Sequence, residues 1–188
     1  MIKHFKLKKM NRLQALNPST TTGKSKELFN GVQANLGMVP NMMRTMGNSP
    51  AVLEGYLNLS GALSKGKLGV KLGELIALTV SEANECGYCL AAHAFIGEKL
   101  VKIHPAELEA AREARNQNPK IQAALLFALT LVEKAGRIID EDVQLVKDAG
   151  YSEGEISEIV AHVALNMLTN YFNNTANTTI DFPVLQAA

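Results

Sequence analysis

The stretch ECGYCLAAH, residues 85–93, holds both cysteines of the chain, with a histidine four positions beyond the second. On an ideal helix of about 100° per residue, Cys86, Cys89 and His93 fall within roughly 60° of one face. Rise and radius put the two cysteine Cα atoms about 5 Å apart, inside the ~4.4–6.8 Å that a disulfide accepts. Such a pair can open and close a disulfide with little backbone movement. At a helix start, unsatisfied N–H groups and the dipole favour thiolate over thiol, which makes Cys86, nearer the terminus, the more acidic of the two. His93 is within reach of Cys89 to take or return a proton. These are the requirements of a redox dithiol. Two other chemistries use the same residues. Thiolates and imidazole are good zinc ligands, but structural zinc takes four protein ligands. No second cysteine pair exists, and His4, His104 and His162 show no paired ligand spacing. Buried, inert cysteines beside a satisfied histidine are the packing alternative.

Other residues carry less. Thr22-Gly23-Lys24-Ser25 has the form of the end of a phosphate loop, but Pro18 stands where the first glycine is required. His162, among Val160, Val163 and Met167, reads as a packed helix residue. Met42, Met43 and Met46 read as adaptable packing or as the wall of a substrate pocket. Asn170, Asn173 and Asn174 could cap a helix or bind across an interface, and the sequence does not choose between these.

Turn residues cut the chain into segments of helical periodicity that must position these groups. A first helix runs from Ser25 to about Asn35, and a second from Ser49-Pro50 to about Leu63, with Ser as cap and Pro in the first helical position. SKGKLGVKLG reads as a loop. From Lys71, ELIALTVSEAN places Leu72, Leu75, Ile76, Thr79 and Ala83 at helical spacing, and residues 84–87 should bend the chain before a helix from Cys86 to about Lys99. Helices then follow from Pro105 to about Arg115, from Asn118-Pro119 to Gly136, and from an Asp140 cap to Gly150. Ser152 with Glu155 predicts a capping box for the last helix, to about Phe172, and the tail TTIDFPVLQAA has no helical pattern. With no sustained alternation and no βαβ rhythm, the fold class is all-α.

The chain has 188 residues, 47% of them apolar, and a net charge of +1. This suits one cored domain, residues 21–188, behind a basic arm, residues 1–20, that carries Lys3, Lys6, Lys8, Lys9 and Arg12. The balance creates no strong demand for nucleic acid or anionic membrane, and no apolar run approaches the roughly 20 residues of a membrane span. The arm lacks the apolar stretch of a secretory signal. It is expected to pack Ile2, Phe5 and Leu7 on the body or on a neighbouring subunit. A reducing cytoplasm is the default location, where a cysteine pair is more often catalytic or metal-binding than structural.

Glu74 stands twelve positions before Cys86, which completes Glu-x11-Cys-x2-Cys-x3-His. With ELIALTVSEANECGYCLAAH the chain resembles the alkyl hydroperoxidase D-like branch of the carboxymuconolactone decarboxylase superfamily. LGMVPNMMRTMGNSPAVLEGY upstream and VAHVALNMLTNYFNNTANTTIDFP near the C-terminus extend the likeness to the peroxidase-related members. The resemblance implies a single-domain helical bundle that assembles as a trimer or hexamer and reduces hydroperoxides with its dithiol. It implies Cys89 as the peroxidatic thiol, Cys86 as the resolving one, and His93 with Glu74 as a proton relay. An external thiol would restore the pair, with no metal, flavin or nicotinamide in the protein itself. Some members carry a second histidine between the cysteines, where this chain has Tyr88.

Helix-terminus physics favours Cys86 as the reactive thiol, whereas the resemblance favours Cys89, which the reading adopts. In an unbroken helix Glu82 would be the nearer carboxylate and Glu74 would lie about 18 Å from Cys86 along the axis. A bend at residues 84–87 is therefore expected, with Glu74 leaning back to His93 and Glu82 left as a solvated or capping group. Two other functions are compatible with the likeness: a decarboxylase-type lyase, which needs no dithiol, and a non-catalytic oligomer whose disulfide alters assembly.

Overall fold

Helices form nearly wherever the apolar spacing asks for them. The computed structural model describes residues 11–183, and among these it contains nine α-helices and no strand. They are α1 (Gly23–Leu36), α2 (Asn41–Met46), α3 (Pro50–Leu63), α4 (Gly69–Ala83), α5 (Gly87–Phe95), α6 (Pro105–Arg112), α7 (Pro119–Glu133), α8 (Asp140–Asp148) and α9 (Glu153–Ala176). A π-helical turn, Ile96–Leu100, prolongs α5. None of the described helices is long and apolar enough to cross a membrane.

Most ends follow local chemistry. Gly37 closes α1 with a left-handed φ of 74°, the conformation that glycine adopts without a Cβ penalty. Pro50 and Pro119 open α3 and α7, and the Asn118 side chain accepts the Lys120 and Ile121 N–H groups. The Ser152 hydroxyl accepts the Glu155 N–H while the Glu155 carboxylate accepts the Ser152 N–H, a reciprocal capping box for α9.

Several boundaries differ from the expectation. Asp140 is the first helical residue of α8 rather than its cap; Ile139 holds the cap position, and its N–H donates to the Asp142 carboxylate. Ser49 occupies the cap position of α3, but its hydroxyl makes no capping bond. Helix α4 starts at Gly69, inside the expected loop, and α9 runs four residues past Phe172, because burial of Asn173 and Ala176 rewards the added turn. The short helix α2 was not anticipated; it buries Met42, Met43, Thr45 and Met46. Residues 1–10, including Ile2, Phe5 and Leu7 of the arm, lie outside the described residues. The described part of the arm lies against the body, where Arg12 N–H donates to the Ala176 carbonyl and Leu16 N–H to that of Arg44.

Helix α4 is the axis of the molecule. It packs on α5, α6, α7 and α9, and its residues 75–81 are all buried. Each fully buried Leu or Ile there, such as Leu75, Ile76 and Leu78, stabilises the fold by about 1.5–3 kcal/mol relative to an exposed position. Two apolar clusters flank it. The larger joins α4 to α6, α7, α8 and α9. The smaller joins α1, α2 and α3 to Cys86, Tyr88, Cys89 and Ala92, so the dithiol is built into a core that the N-terminal helices close.

Candidate active site

The turn between α4 and α5 decides the geometry. Glu85 takes a left-handed φ of 51°, Glu85 N–H donates to the Glu82 carbonyl and Cys86 N–H donates to that of Ser81. This pair of bonds is a Schellman motif, with glutamate where glycine usually stands at a local cost of roughly 1–2 kcal/mol. Asparagines of the neighbouring helix hold it in place. Asn84 Nδ2 donates to the Val80 carbonyl and to Asn170 Oδ1. Asn170 Nδ2 donates to Ser81 Oγ, and Asn174 Nδ2 to the Asn84 carbonyl. Two of the three α9 asparagines that the sequence left open, Asn170 and Asn174, therefore bond within this chain.

Beyond the turn, the chain doubles back. Cys86 is the N-cap of α5 rather than a residue within it, and its Sγ accepts the Cys89 N–H at 3.3 Å. The two cysteines are joined as a disulfide with their Cα atoms 5.3 Å apart. The bend carries α5 alongside α4, and Glu74 Oε2 lies 2.9 Å from His93 Nδ1. Neither side chain is more than one quarter exposed. Glu82 is turned away, half-exposed and ion-paired with Arg112 at 2.7 Å. It neither caps a helix nor reaches the dithiol.

A cavity of about 380 Å³ opens onto this group, with Glu74, Cys89 and His93 in its wall and Cys86 behind it. Met42 and Met43 supply part of the apolar wall, the pocket alternative in the sequence reading, while Met46 is buried in the core. Leu36, Met38, Val70 and Leu100 line the cavity and remain exposed, so its rim is apolar too. The two cysteines differ in placement: both are buried, but Cys89 lines the cavity and Cys86 does not. Among the described residues, no three His, Cys, Asp or Glu side chains are grouped to hold a metal ion.

Four features of the site were not read from sequence. Asn173, on α9, donates its Nδ2–H to Cys89 Sγ at 3.4 Å. His162 lines the cavity, and its Nε2 is buried without a hydrogen-bond partner. Burial lowers its pKa from the ordinary histidine value, against the opposing pull of Glu158 and Glu74. Gly73 makes room for that ring, since a Cβ there would stand 3.0 Å from His162 Cε1. Tyr88, in place of the second histidine, is a clasp. Its hydroxyl donates to Asp181 Oδ1 at 2.9 Å and accepts the Met42 N–H at 3.2 Å. Burial pushes its pKa far above that of free tyrosine. Asp181 Oδ2 accepts the Asn41 N–H, and the Phe182 ring lies against Tyr88 and Phe95, so the C-terminal tail is strapped over the cavity. Tyr56, in the wall beside Glu74, has its pKa pushed up to about 12, first by burial and then by that carboxylate. A run of asparagines towards the end of α9 was the one sequence signal for buried polar partners; nothing local marks the tail.

Residues 50–130 match the model of the carboxymuconolactone decarboxylase family. Several solved structures share the fold. A peroxidase-related protein from Silicibacter sp. TM1040 is 22% identical, with a TM-score of 0.78 over 92% of this chain and 94% of that one. A peroxidase-related protein from Ralstonia eutropha JMP134, an alkylhydroperoxidase AhpD core, is 23% identical, with a TM-score of 0.81 over 91% and 92%. The debrominase Bmp8 is 25% identical, with a TM-score of 0.76 over 90% and 92%, and a second structure of that enzyme holds 2,3,4-tribromopyrrole. No curated protein matches the sequence.

Proposed function

We propose that this chain, whose residues 50–130 match the carboxymuconolactone decarboxylase family and whose fold is that of an alkylhydroperoxidase AhpD core, is a member of that superfamily and reduces hydroperoxides through its Cys86–Cys89 dithiol. The observation that carries the reading is the joint placement of a closable cysteine pair and a Glu74–His93 hydrogen bond at one cavity. Glu74 accepts the His93 Nδ1–H, which leaves Nε2 to take the Cys89 proton. The Cys89 thiolate attacks the terminal peroxide oxygen; the O–O bond breaks, and the alkoxide leaves and takes up a proton as the alcohol. Cys89 is then a sulfenic acid. The Cys86 sulfur displaces its hydroxyl as water and forms the disulfide. An external dithiol, or two monothiols that leave as their own disulfide, supplies two electrons and two protons to reopen it.

The test mixes reduced protein with a hydroperoxide and titrates free thiols. Two thiols per chain should disappear together. A Cys89→Ser protein that consumed peroxide at the parental rate would sink the role given to Cys89. Exposed Val52 and Leu59 on α3 and Leu168 and Tyr171 on α9 support a homo-oligomer as the working form, which native mass measurement on oxidised and reduced protein examines.

The apolar cavity favours a second reading. It is far larger than hydrogen peroxide requires, and the debrominase shares its fold. The same two electrons could remove a halide from an aryl ring: the carbon–bromine bond is replaced by carbon–hydrogen, bromide leaves, and the dithiol closes to a disulfide. Bromide release from a brominated pyrrole in the presence of a thiol reductant distinguishes this activity from peroxide reduction.

A further inference from the structure

Each sulfur of the disulfide receives one N–H donor, but the donors differ in kind. Cys86 Sγ accepts from the backbone of its own helix start, whereas Cys89 Sγ accepts from a side chain on another helix, Asn173 Nδ2. Asn173 is buried, and its Oδ1 has no hydrogen-bond partner in this disulfide form. A buried amide oxygen left unpaired is costly, and such exceptions call for a reason. The reverse orientation of the amide would not help. It would set oxygen lone pairs against a sulfur that carries no hydrogen.

A disulfide sulfur is a weak acceptor and a thiolate a strong one, because hydrogen bonds to charged groups are roughly twice as strong as neutral ones. A reduced, protonated Cys89 would also offer an S–H to the same amide. Reduction thus offers the Asn173 Oδ1 a donor, and ionisation of Cys89 strengthens the bond that its Nδ2–H already makes. Its Nδ2–H reaches the one sulfur that faces the cavity. We propose that Asn173 is a catalytic residue that holds the Cys89 thiolate through its side-chain N–H and thereby biases the Cys86–Cys89 couple towards the dithiol. Glu74 and His93 move the proton; Asn173 stabilises the anion left behind. The assignment rests on Cys89 as the attacking thiol of the peroxidase reading.

The experiment compares reduced parental protein with Asn173→Leu, which keeps the volume and removes the donor. The pH midpoint of Cys89 alkylation by iodoacetamide should rise by about one unit or more, a tenfold loss of thiolate at fixed pH. In glutathione buffers, two glutathione thiols reduce the disulfide and leave as glutathione disulfide. There the variant equilibrium should move about tenfold towards the protein disulfide, a potential about 30 mV lower. Unchanged midpoint and potential in a folded variant overturn the proposal. If the variant does not fold, the parental protein decides: the Asn173 side-chain amide protons, followed by NMR, should titrate with the Cys89 midpoint, and amide signals that stay fixed through it overturn the proposal. Neither readout needs a peroxide. A protein inert to hydroperoxides that passes both tests loses the peroxidase reading and keeps this one.

Discussion

Replacing Glu74 with Gln tests the relay with the smallest change of shape. Glu74 Oε2 and His93 Nδ1 are 2.9 Å apart, in a site where neither side chain is more than one quarter exposed. Gln can still accept the Nδ1–H through its amide oxygen, so the ring keeps its orientation and only the charge is lost. A hydrogen bond to a charged group is worth about 1.5–3 kcal/mol and a neutral one about 0.5–1.5 kcal/mol. The difference of roughly 1–1.5 kcal/mol bears on the imidazolium formed when His93 takes the Cys89 proton, and about 1.36 kcal/mol corresponds to a factor of ten in rate. Glu74→Gln should therefore lower the second-order rate of dithiol oxidation by hydroperoxide about tenfold, and Glu74→Ala more. Stopped-flow thiol loss gives the rate, and iodoacetamide alkylation at neutral pH gives a reading independent of the substrate. Glu82→Gln, which breaks only the half-exposed pair with Arg112, should leave both unchanged. A folded Glu74→Gln protein with parental rates in both assays would refute the relay, and a loss confined to Glu82→Gln would mean that the wrong carboxylate had been chosen.

Ser152→Ala removes the hydroxyl half of the α9 capping box and should cost about 1 kcal/mol, a fall of roughly 2–4 °C in the thermal midpoint for a chain of this size. Tyr88→Phe removes the donor to Asp181 and the acceptor for the Met42 N–H. Amides of residues 178–182 should then exchange hydrogen faster while those of α4 stay protected. His162 has a folded-state pKa lowered by burial. The unfolded chain therefore binds its proton first as pH falls, and stability should drop as the medium is acidified below about 6.5. His162→Asn should flatten that part of the curve of thermal midpoint against pH.

Most bonds and spacings that span only a few residues were legible in the sequence, the Ser49 and Asp140 caps and the short helix α2 excepted. At a helix start the Cys-x-x-Cys separation sets the two Cα atoms at bridging distance: the ideal-helix value of about 5 Å stands beside 5.3 Å here, although Cys86 caps the helix rather than joining it. Pro50, Asn118-Pro119, Gly37 and the Ser152–Glu155 pair mark their helix ends through local bonds, and apolar spacing gives the all-α class. That Glu74 and not Glu82 lies beside His93 was legible only through the family likeness and an expected bend. That bend depends on Glu85 in a left-handed conformation, for which glutamate has no preference, so asparagines some 90 positions along the chain must hold it.

Tertiary structure alone decided the rest. It placed Asn173 on Cys89, set His162 in the cavity wall, and made Tyr88 the anchor of a tail whose sequence shows no periodicity. Those contacts join residues 84 to 93 positions apart. No local propensity encodes such a pairing, because the free energy that selects it comes from burying α4 between α5 and α9 and not from either segment alone.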